Sequence, residues 1–92
     1  MNETNDTAVI HPVPIVRPGL LDRLKTNSGI RTDEAFAASI GISRATLDRL
    51  RKGDTPDLRT VVMIARSYGI GLSEVVTEVD PSELDAELAA AG

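Results

Sequence analysis

Three glycine–isoleucine pairs divide the central part of this chain: Gly29-Ile30, Gly41-Ile42 and Gly69-Ile70. Each pair follows a segment with the composition of a helix. Glycine adopts the left-handed conformation after a helix at little cost, and an apolar residue beside it packs back on the last turn. Three such endings in so short a chain predict a compact, all-α domain made of several short helices.

The spacing of apolar residues predicts where these helices begin and end. Thr32 and Ser43 are good N-cap residues, and the recurrence of Leu58, Val61, Val62 and Ala65 predicts one buried stripe. The predicted helices are Leu20 to Ser28, a segment after Thr32 that ends near Ile40, Arg44 to Lys52, Leu58 to Tyr68, and a short helix from about Leu72 that covers Val75 and Val76.

Composition limits the classes of protein to consider. With 92 residues, 41% of them apolar, the chain is large enough for one aliphatic core. It has no cysteine and a single histidine, His11, which excludes a disulfide framework, a thiolate metal site and a histidine-based catalytic triad. No apolar run has bilayer length and no signal-peptide segment is visible, so the cytosol is the expected compartment.

Charge is distributed unevenly along the chain, and this matters more than the net value of −4. Residues 20–76 contain nine basic and seven acidic groups, whereas residues 77–92 contain five acidic groups and no basic one. The acidity therefore belongs largely to the C-terminal tail, and the middle of the chain is mildly basic.

Two flanking segments lie outside the predicted helical domain of residues 20–76. Residues 1–19 contain Pro12, Pro14 and Pro18, so they form a flexible or extended arm that can lie partly on the core. Residues 77–92 form an acidic tail with a helix start signal at Asp80-Pro81. Leu84 and Leu88 then form a narrow apolar stripe, which leaves either a frayed tail or a helix that makes a dimer contact.

The segment TDEAFAASIGISRATLDRLRK, residues 32–52, predicts two short helices joined by a tight turn at Gly41. Leu47 and Leu50 point inward on the second helix. The outward positions are Arg44, Ala45, Asp48, Arg49 and Lys52. A polar, mostly cationic helix face presented by a turn is suited to the DNA major groove.

Four of the outward positions have a possible partner on a base pair. Arg44 and Arg49 can donate two hydrogen bonds to guanine, Ala45 can touch a thymine methyl group, and Asp48 can accept from cytosine. Asp48 can equally pair with Arg44 and Lys52, four residues away on either side. The alternative reading is a solvated helix face with ion pairs, but the preceding turn favours DNA readout.

Polar groups beside this helix are candidates for phosphate contacts, although the first turn of the preceding helix also carries Asp33 and Glu34. These two carboxylates suit the helix dipole but repel phosphate. The predicted phosphate contacts are Arg31, Thr32, Ser43, Lys52, Thr55 and Arg59.

The stretch IGISRATLDRLRKGDTPDLRTVVMIARSYGIGLSEVV resembles the Cro/C1-type helix-turn-helix family, also called the xenobiotic-response-element family. The resemblance covers residues 20–76 and includes the turn glycine, the serine cap, the glycine stop and the proline-led fourth helix. It implies a five-helix, λ-repressor-like domain that binds operator DNA, usually as a homodimer. It also implies that Arg44, Ala45 and Arg49 face bases.

The resulting hypothesis is a sequence-specific transcriptional repressor, like the Cro and repressor proteins of phages, that needs no cofactor and catalyses no reaction. Its partner is double-stranded operator DNA, bound as a homodimer. The alternative is an antitoxin or adaptor that binds a protein partner through its tails, with DNA binding secondary.

Overall fold

Helices make up most of the described chain, and two short strands lie before and after the first five helices. The structure is a computed structural model that describes residues 11–91, so the first ten residues of the predicted arm and Gly92 lie outside the described residues. The elements in chain order are β1 (Val13–Val16), α1 (Leu20–Asn27), α2 (Asp33–Ser39), α3 (Arg44–Arg51), α4 (Leu58–Tyr68), α5 (Leu72–Val75), β2 (Val76–Val79), a 3₁₀ turn (Pro81–Glu83) and α6 (Leu84–Ala91).

Side-chain caps fix the starts of the three central helices. Thr32, Ser43 and Asp57 each accept a hydrogen bond from the backbone N–H three residues on, at 3.1, 3.0 and 2.7 Å respectively. These bonds satisfy donors that a helix leaves unpaired in its first turn. The predicted caps Thr32 and Ser43 are therefore confirmed, and the predicted helix bounds agree with the structure to within about one residue.

The core is aliphatic apart from one phenylalanine. Phe36 of α2, Ile40 directly after that helix, Leu47 of α3 and Ile64 of α4 are all fully buried. Because each helix contributes at least one of these side chains, α2, α3 and α4 are held in fixed relative positions.

Leu58 is the one predicted core residue of α4 that the structure places in solvent. Its side chain is 72% exposed. The buried stripe of α4 consists of Thr60, Val61, Ile64 and Ala65. At about 100° per residue, Leu58 lies at the margin of that stripe, so the prediction that it is buried was wrong.

A two-stranded antiparallel sheet joins the two ends of the helical domain. Val13 lies opposite Val79, and Val16 lies opposite Val76. Ile15 of β1 is fully buried. The sequence predicted an extended segment here but neither the sheet nor its partner strand, and Val76, assigned to the fifth helix, instead begins β2.

Arg17 fastens the end of β1 to α5. Its backbone N–H donates to the Val75 carbonyl at 2.8 Å, and its guanidinium donates to the Ser73 carbonyl through Nη2 at 2.9 Å and Nε at 3.2 Å. These bonds satisfy carbonyl groups at the end of α5 that have no partner within the helix.

The predicted C-terminal helix is present as a 3₁₀ turn followed by α6. Asp80 caps the turn by accepting from the Ser82 N–H at 2.9 Å. Leu84 packs over Gly53, at the end of α3, so closely that a β-carbon on Gly53 would lie 2.9 Å from Leu84 Cδ1. The first residue of α6 is therefore in contact with the chain directly after α3. No helix in the described part of the chain is long and apolar enough to cross a membrane.

Candidate nucleic-acid interface

The turn between α2 and α3 depends on Gly41. Its φ angle is +76°, in the left-handed region that glycine occupies without strain. Its N–H donates to the Ala38 carbonyl at 3.1 Å, and the Ile42 N–H donates to the Ala37 carbonyl at 3.0 Å. A β-carbon at Gly41 would also lie 2.9 Å from Met63 Cε of α4. Backbone conformation and close packing both favour glycine at this position.

Helix α3 has one buried face and one exposed face. Leu47 and Leu50 are buried in the core, at 0% and 4% exposure. The residues predicted to contact bases lie on the other side: Arg44, Ala45 and Arg49 are exposed, and Asp48 is partly exposed. The structure thus brings the four predicted base-contacting residues together on one accessible surface.

Arg49 is oriented mainly by the hydroxyl group of Thr46, three residues before it on α3. Its Nη2 donates to Thr46 Oγ1 at 3.1 Å, and the same oxygen accepts from Ser43 Oγ at 3.0 Å. Its Nε lies 3.9 Å from an oxygen of Asp54, the outer limit for an ion pair. The guanidinium is therefore directed along the helix but remains largely open to a ligand.

Arg44 is in a different environment, because carboxylates surround it. Nη1 is 2.6 Å from Glu34 Oε2, Nη2 is 3.6 Å from Asp33 Oδ2, and Nε is 3.6 Å from Asp48 Oδ1. The charge of Glu34, followed by that of Asp48, raises the pKa of Arg44 above its ordinary value. The predicted pairing of Asp48 with Arg44 is confirmed, whereas Lys52 forms no ion pair with Asp48.

Asp33 joins three helices. Its Oδ1 accepts from Lys25 Nζ of α1 at 2.9 Å, and its two oxygens each lie 3.0 Å from a nitrogen of Arg51 on α3. The hydrogen bonds from Arg51 and then Lys25 hold the pKa of this carboxyl well below its usual range. Lys25 and Arg51 therefore offset the charge of Asp33. This is the charge that was predicted to repel phosphate.

The predicted phosphate contacts lie before α2, at the two ends of α3, and between α3 and the first turn of α4; they are three cations and three hydroxyl residues. Arg31, Lys52 and Arg59 are exposed and form no ion pair with another described residue, so their charges are available to a ligand. The Thr32 and Ser43 hydroxyls act as helix caps. Thr55 lies in the loop between α3 and α4 and lines a cleft that also contains Thr46 and Arg49.

A comparison with protein families assigns the chain. A family model described as Helix-turn-helix matches residues 27–75, more than half of the sequence. The chain belongs to the Cro/C1-type helix-turn-helix family. No curated protein and no solved structure matches it.

Membership of the Cro/C1-type family identifies the chain as a DNA-binding transcription regulator. This family is regulatory rather than enzymatic. The matched region of the helix-turn-helix protein contains α2, the Gly41 turn and α3, together with α4 and α5. The exposed face of α3 described above therefore lies within the matched region.

Sequence reasoning missed two features of this helix-turn-helix surface. Arg51 was counted among the basic residues near α3, but it pairs with Asp33 and with Asp22, whose Oδ1 is 2.9 Å away. The contact between Glu34 and Arg44 was not predicted either. Both contacts join different helices, so no local spacing rule of the kind that indicated the Asp48 pairing could reveal them.

Proposed function

We propose that this chain is a transcriptional repressor that binds operator DNA as a homodimer and reads the major groove with α3. The observation that supports this most directly is the exposed face of α3, where the Arg49 side chain is more than half exposed and is oriented by Thr46. Arginine held in one orientation can donate two hydrogen bonds to a guanine edge. Ala45 beside it is small enough to let the helix approach the bases.

In this proposal, base contacts and phosphate contacts come from different residues. Arg44, Ala45, Asp48 and Arg49 face the bases. Phosphate groups are bound by the residues around α3, namely Arg31, Thr32, Ser43, Lys52, Thr55 and Arg59. Arg31, Lys52 and Arg59 form no ion pair with another described residue, which supports the second assignment, because phosphate contacts supply the part of the affinity that is independent of sequence.

The test begins with selection of bound sequences from a random DNA pool. We expect a palindromic site whose half-sites lie about one helical turn, roughly 34 Å, apart. Arg49→Ala should then weaken binding to this site by about 1–3 kcal/mol and relax the preference at one base position. Lys52→Ala and Arg59→Ala should weaken all sequences alike and reduce the salt dependence.

Arg66→Ala is the matched control, because Arg66 is an exposed arginine in the last turn of α4, at the opposite end of that helix from Arg59. It should change neither specificity nor the salt dependence. Sequence preference that survived Arg49→Ala unchanged would contradict the assignment of α3 as the reading helix. A selected site without two-fold symmetry would contradict the homodimer.

The second candidate is an antitoxin or adaptor that binds a protein partner through its flanking segments. Pairing of β1 with β2 commits residues 13–16 and 76–79 to the domain's own fold. Within the described residues this leaves α6, whose Asp85 and Glu87 are exposed. Removal of residues 84–92 that abolished regulation in cells but preserved operator binding would favour this candidate over the first.

A further inference from the structure

The guanidinium of Arg44 has a different carboxylate at each of its three nitrogens. Glu34 is the nearest, at 2.6 Å from Nη1, whereas Asp33 and Asp48 are each 3.6 Å away. Two of these carboxylates come from α2 and one from α3. Arg44 is therefore not a free cation on the recognition surface, in contrast to Arg49, whose nearest carboxylate oxygen is 3.9 Å away.

The three carboxylates are not equivalent in charge balance. Asp33 is already paired with Lys25 and Arg51, so it contributes little unbalanced charge. Glu34 and Asp48 form no ion pair with a described residue other than Arg44. One cation therefore faces two otherwise unpaired anions, and the immediate surroundings of Arg44 are net negative.

This charge balance affects the two kinds of acceptor on DNA differently. A phosphate carries a full negative charge and is repelled by Glu34 when it approaches Arg44. The guanine O6 and N7 atoms are neutral acceptors and are repelled much less. A guanidinium has five N–H donors, so N–H groups on Arg44 that do not face a carboxylate can still donate to a base.

We propose that Glu34 is a specificity-determining residue that pairs with Arg44 in the DNA-free protein and penalises phosphate contacts there. It thereby lowers affinity for non-cognate DNA more than affinity for the operator. This inference rests on the proposed function of α3 as the reading helix. It gives Glu34 an indirect role. Glu34 does not itself contact a base, but it controls which acceptors Arg44 can bind.

Geometry identifies Glu34, rather than its neighbours, as the residue with this role. Asp33 holds α1, α2 and α3 together, so changing it would disturb the fold. Asp48 lies on α3 itself and its contact with Arg44 is 1 Å longer than that of Glu34. Glu34 is 69% exposed, and its pairing with Arg44 is the part of this cluster that can be changed with the least effect on folding.

The test is Glu34→Gln, which removes the charge while preserving the shape of the side chain. Affinity for DNA of unrelated sequence should rise several-fold at low salt, and affinity for the operator should rise less. The ratio of operator affinity to unrelated affinity therefore falls. The slope of log K against log salt for unrelated DNA should become steeper by up to about 0.9, the value for one additional phosphate contact. A melting curve should show that the variant remains folded.

Two comparisons separate this role from a general effect of charge. Glu78→Gln, which removes an exposed carboxylate from β2, makes the same change in net charge and should leave the ratio of operator to unrelated affinity unaltered. In an Arg44→Ala background, Glu34→Gln should have a much smaller effect on the ratio, because its partner is gone.

Several results would overturn the inference. These are an unchanged ratio in Glu34→Gln, an equal loss of ratio in Glu78→Gln, and a full effect in the Arg44→Ala background. An unchanged ratio in Glu34→Gln together with a loss of specificity in Arg49→Ala would refute the role of Glu34 and leave the proposed function standing. A wild-type protein with no preferred DNA sequence would refute both.

Discussion

Glu34 of α2 and Arg44 of α3 meet across the helix-turn-helix motif, with Oε2 of the first 2.6 Å from Nη1 of the second. Both side chains are about half exposed or more, and ion pairs between exposed side chains add little to stability. The importance of the pair therefore lies in its position on the surface that we propose faces DNA. It places a negative charge beside Arg44, one of the residues proposed to contact bases.

Asp33→Asn should destabilise the protein at neutral pH by about 1–2 kcal/mol, because it weakens charge-assisted hydrogen bonds from Lys25 and Arg51 that are partly screened by solvent. The pKa of Asp33 is lower in the folded protein than in the unfolded chain, so its contribution is fully present above the unfolded value of about 3.9. It is lost as the pH falls below that value toward the folded pKa.

Urea denaturation of Asp33→Asn and wild type at pH 7 and pH 3 measures this dependence. The difference in unfolding free energy should be smaller at pH 3 than at pH 7. Asp85→Asn, on the exposed part of α6, should show little difference at either pH. A gap for Asp33→Asn that stayed constant would mean that its ion pairs do not hold the helices together.

Gly41→Ala and Gly29→Ala compare two glycines with nearly the same backbone conformation, φ +76° and +75°. A left-handed alanine costs about 1–2 kcal/mol in either place. At Gly29 a β-carbon meets nothing within 4 Å, whereas at Gly41 it lies 2.9 Å from Met63 Cε. Gly41→Ala should therefore be the more destabilising, by the cost of moving the end of one flexible side chain.

Thermal denaturation of both glycine variants measures the difference directly. Because Met63 Cε is the tip of an unbranched side chain, the extra cost at Gly41 should be small beside the backbone cost. A reversed order, with Gly29→Ala the less stable variant, would show that the Met63 contact does not restrict the turn.

Ile15→Ala should destabilise the protein by about 2–5 kcal/mol, because it leaves a cavity at a fully buried position of β1. Glu78→Ala, at an exposed position of the paired strand, should change stability by no more than about 0.5 kcal/mol. Chemical denaturation distinguishes these outcomes. Equal, small effects would mean that residues 20–76 form an independent domain, as the sequence predicted.

Thr46→Val should weaken operator binding a few-fold while changing stability little. The variant keeps the shape of the side chain but removes the oxygen that accepts from Arg49 Nη2. Arg49 then loses the contact that orients it, so ordering its side chain on binding costs more conformational entropy. Thr26→Val on α1 is the matched change away from α3 and should leave affinity unaltered. Affinity that was equal in both variants would remove Thr46 from the site.

The helical part of the fold could be predicted because its signals are local. Thr32 and Ser43 indicate where helices begin, and Gly41 and Gly69 indicate where helices end. These signals depend on interactions that span three or four residues. The sheet could not be predicted in the same way. Its strands lie at opposite ends of the domain, and the prolines beside Val13 and Ile15 hid the strand pattern of β1.

The surface of α3 could be predicted in outline but not in its electrostatics. Periodicity alone separates Leu47 from Arg49, so the exposed face was predictable. The partners of Arg51 and Arg44 depend on how α1 and α2 cross α3. That geometry follows from packing in three dimensions, and a list of charges along the sequence does not contain it.

The pairing of β1 with β2 also has a consequence for how the protein is made. Residues 13–16 leave the ribosome early, whereas their partners at 76–79 emerge only after α1 to α5 have been synthesised. Contacts between such distant segments close a long loop and form late. We therefore expect the helices to associate first around Phe36 and Leu47, and the burial of Ile15 to wait until residues 76–79 have been translated.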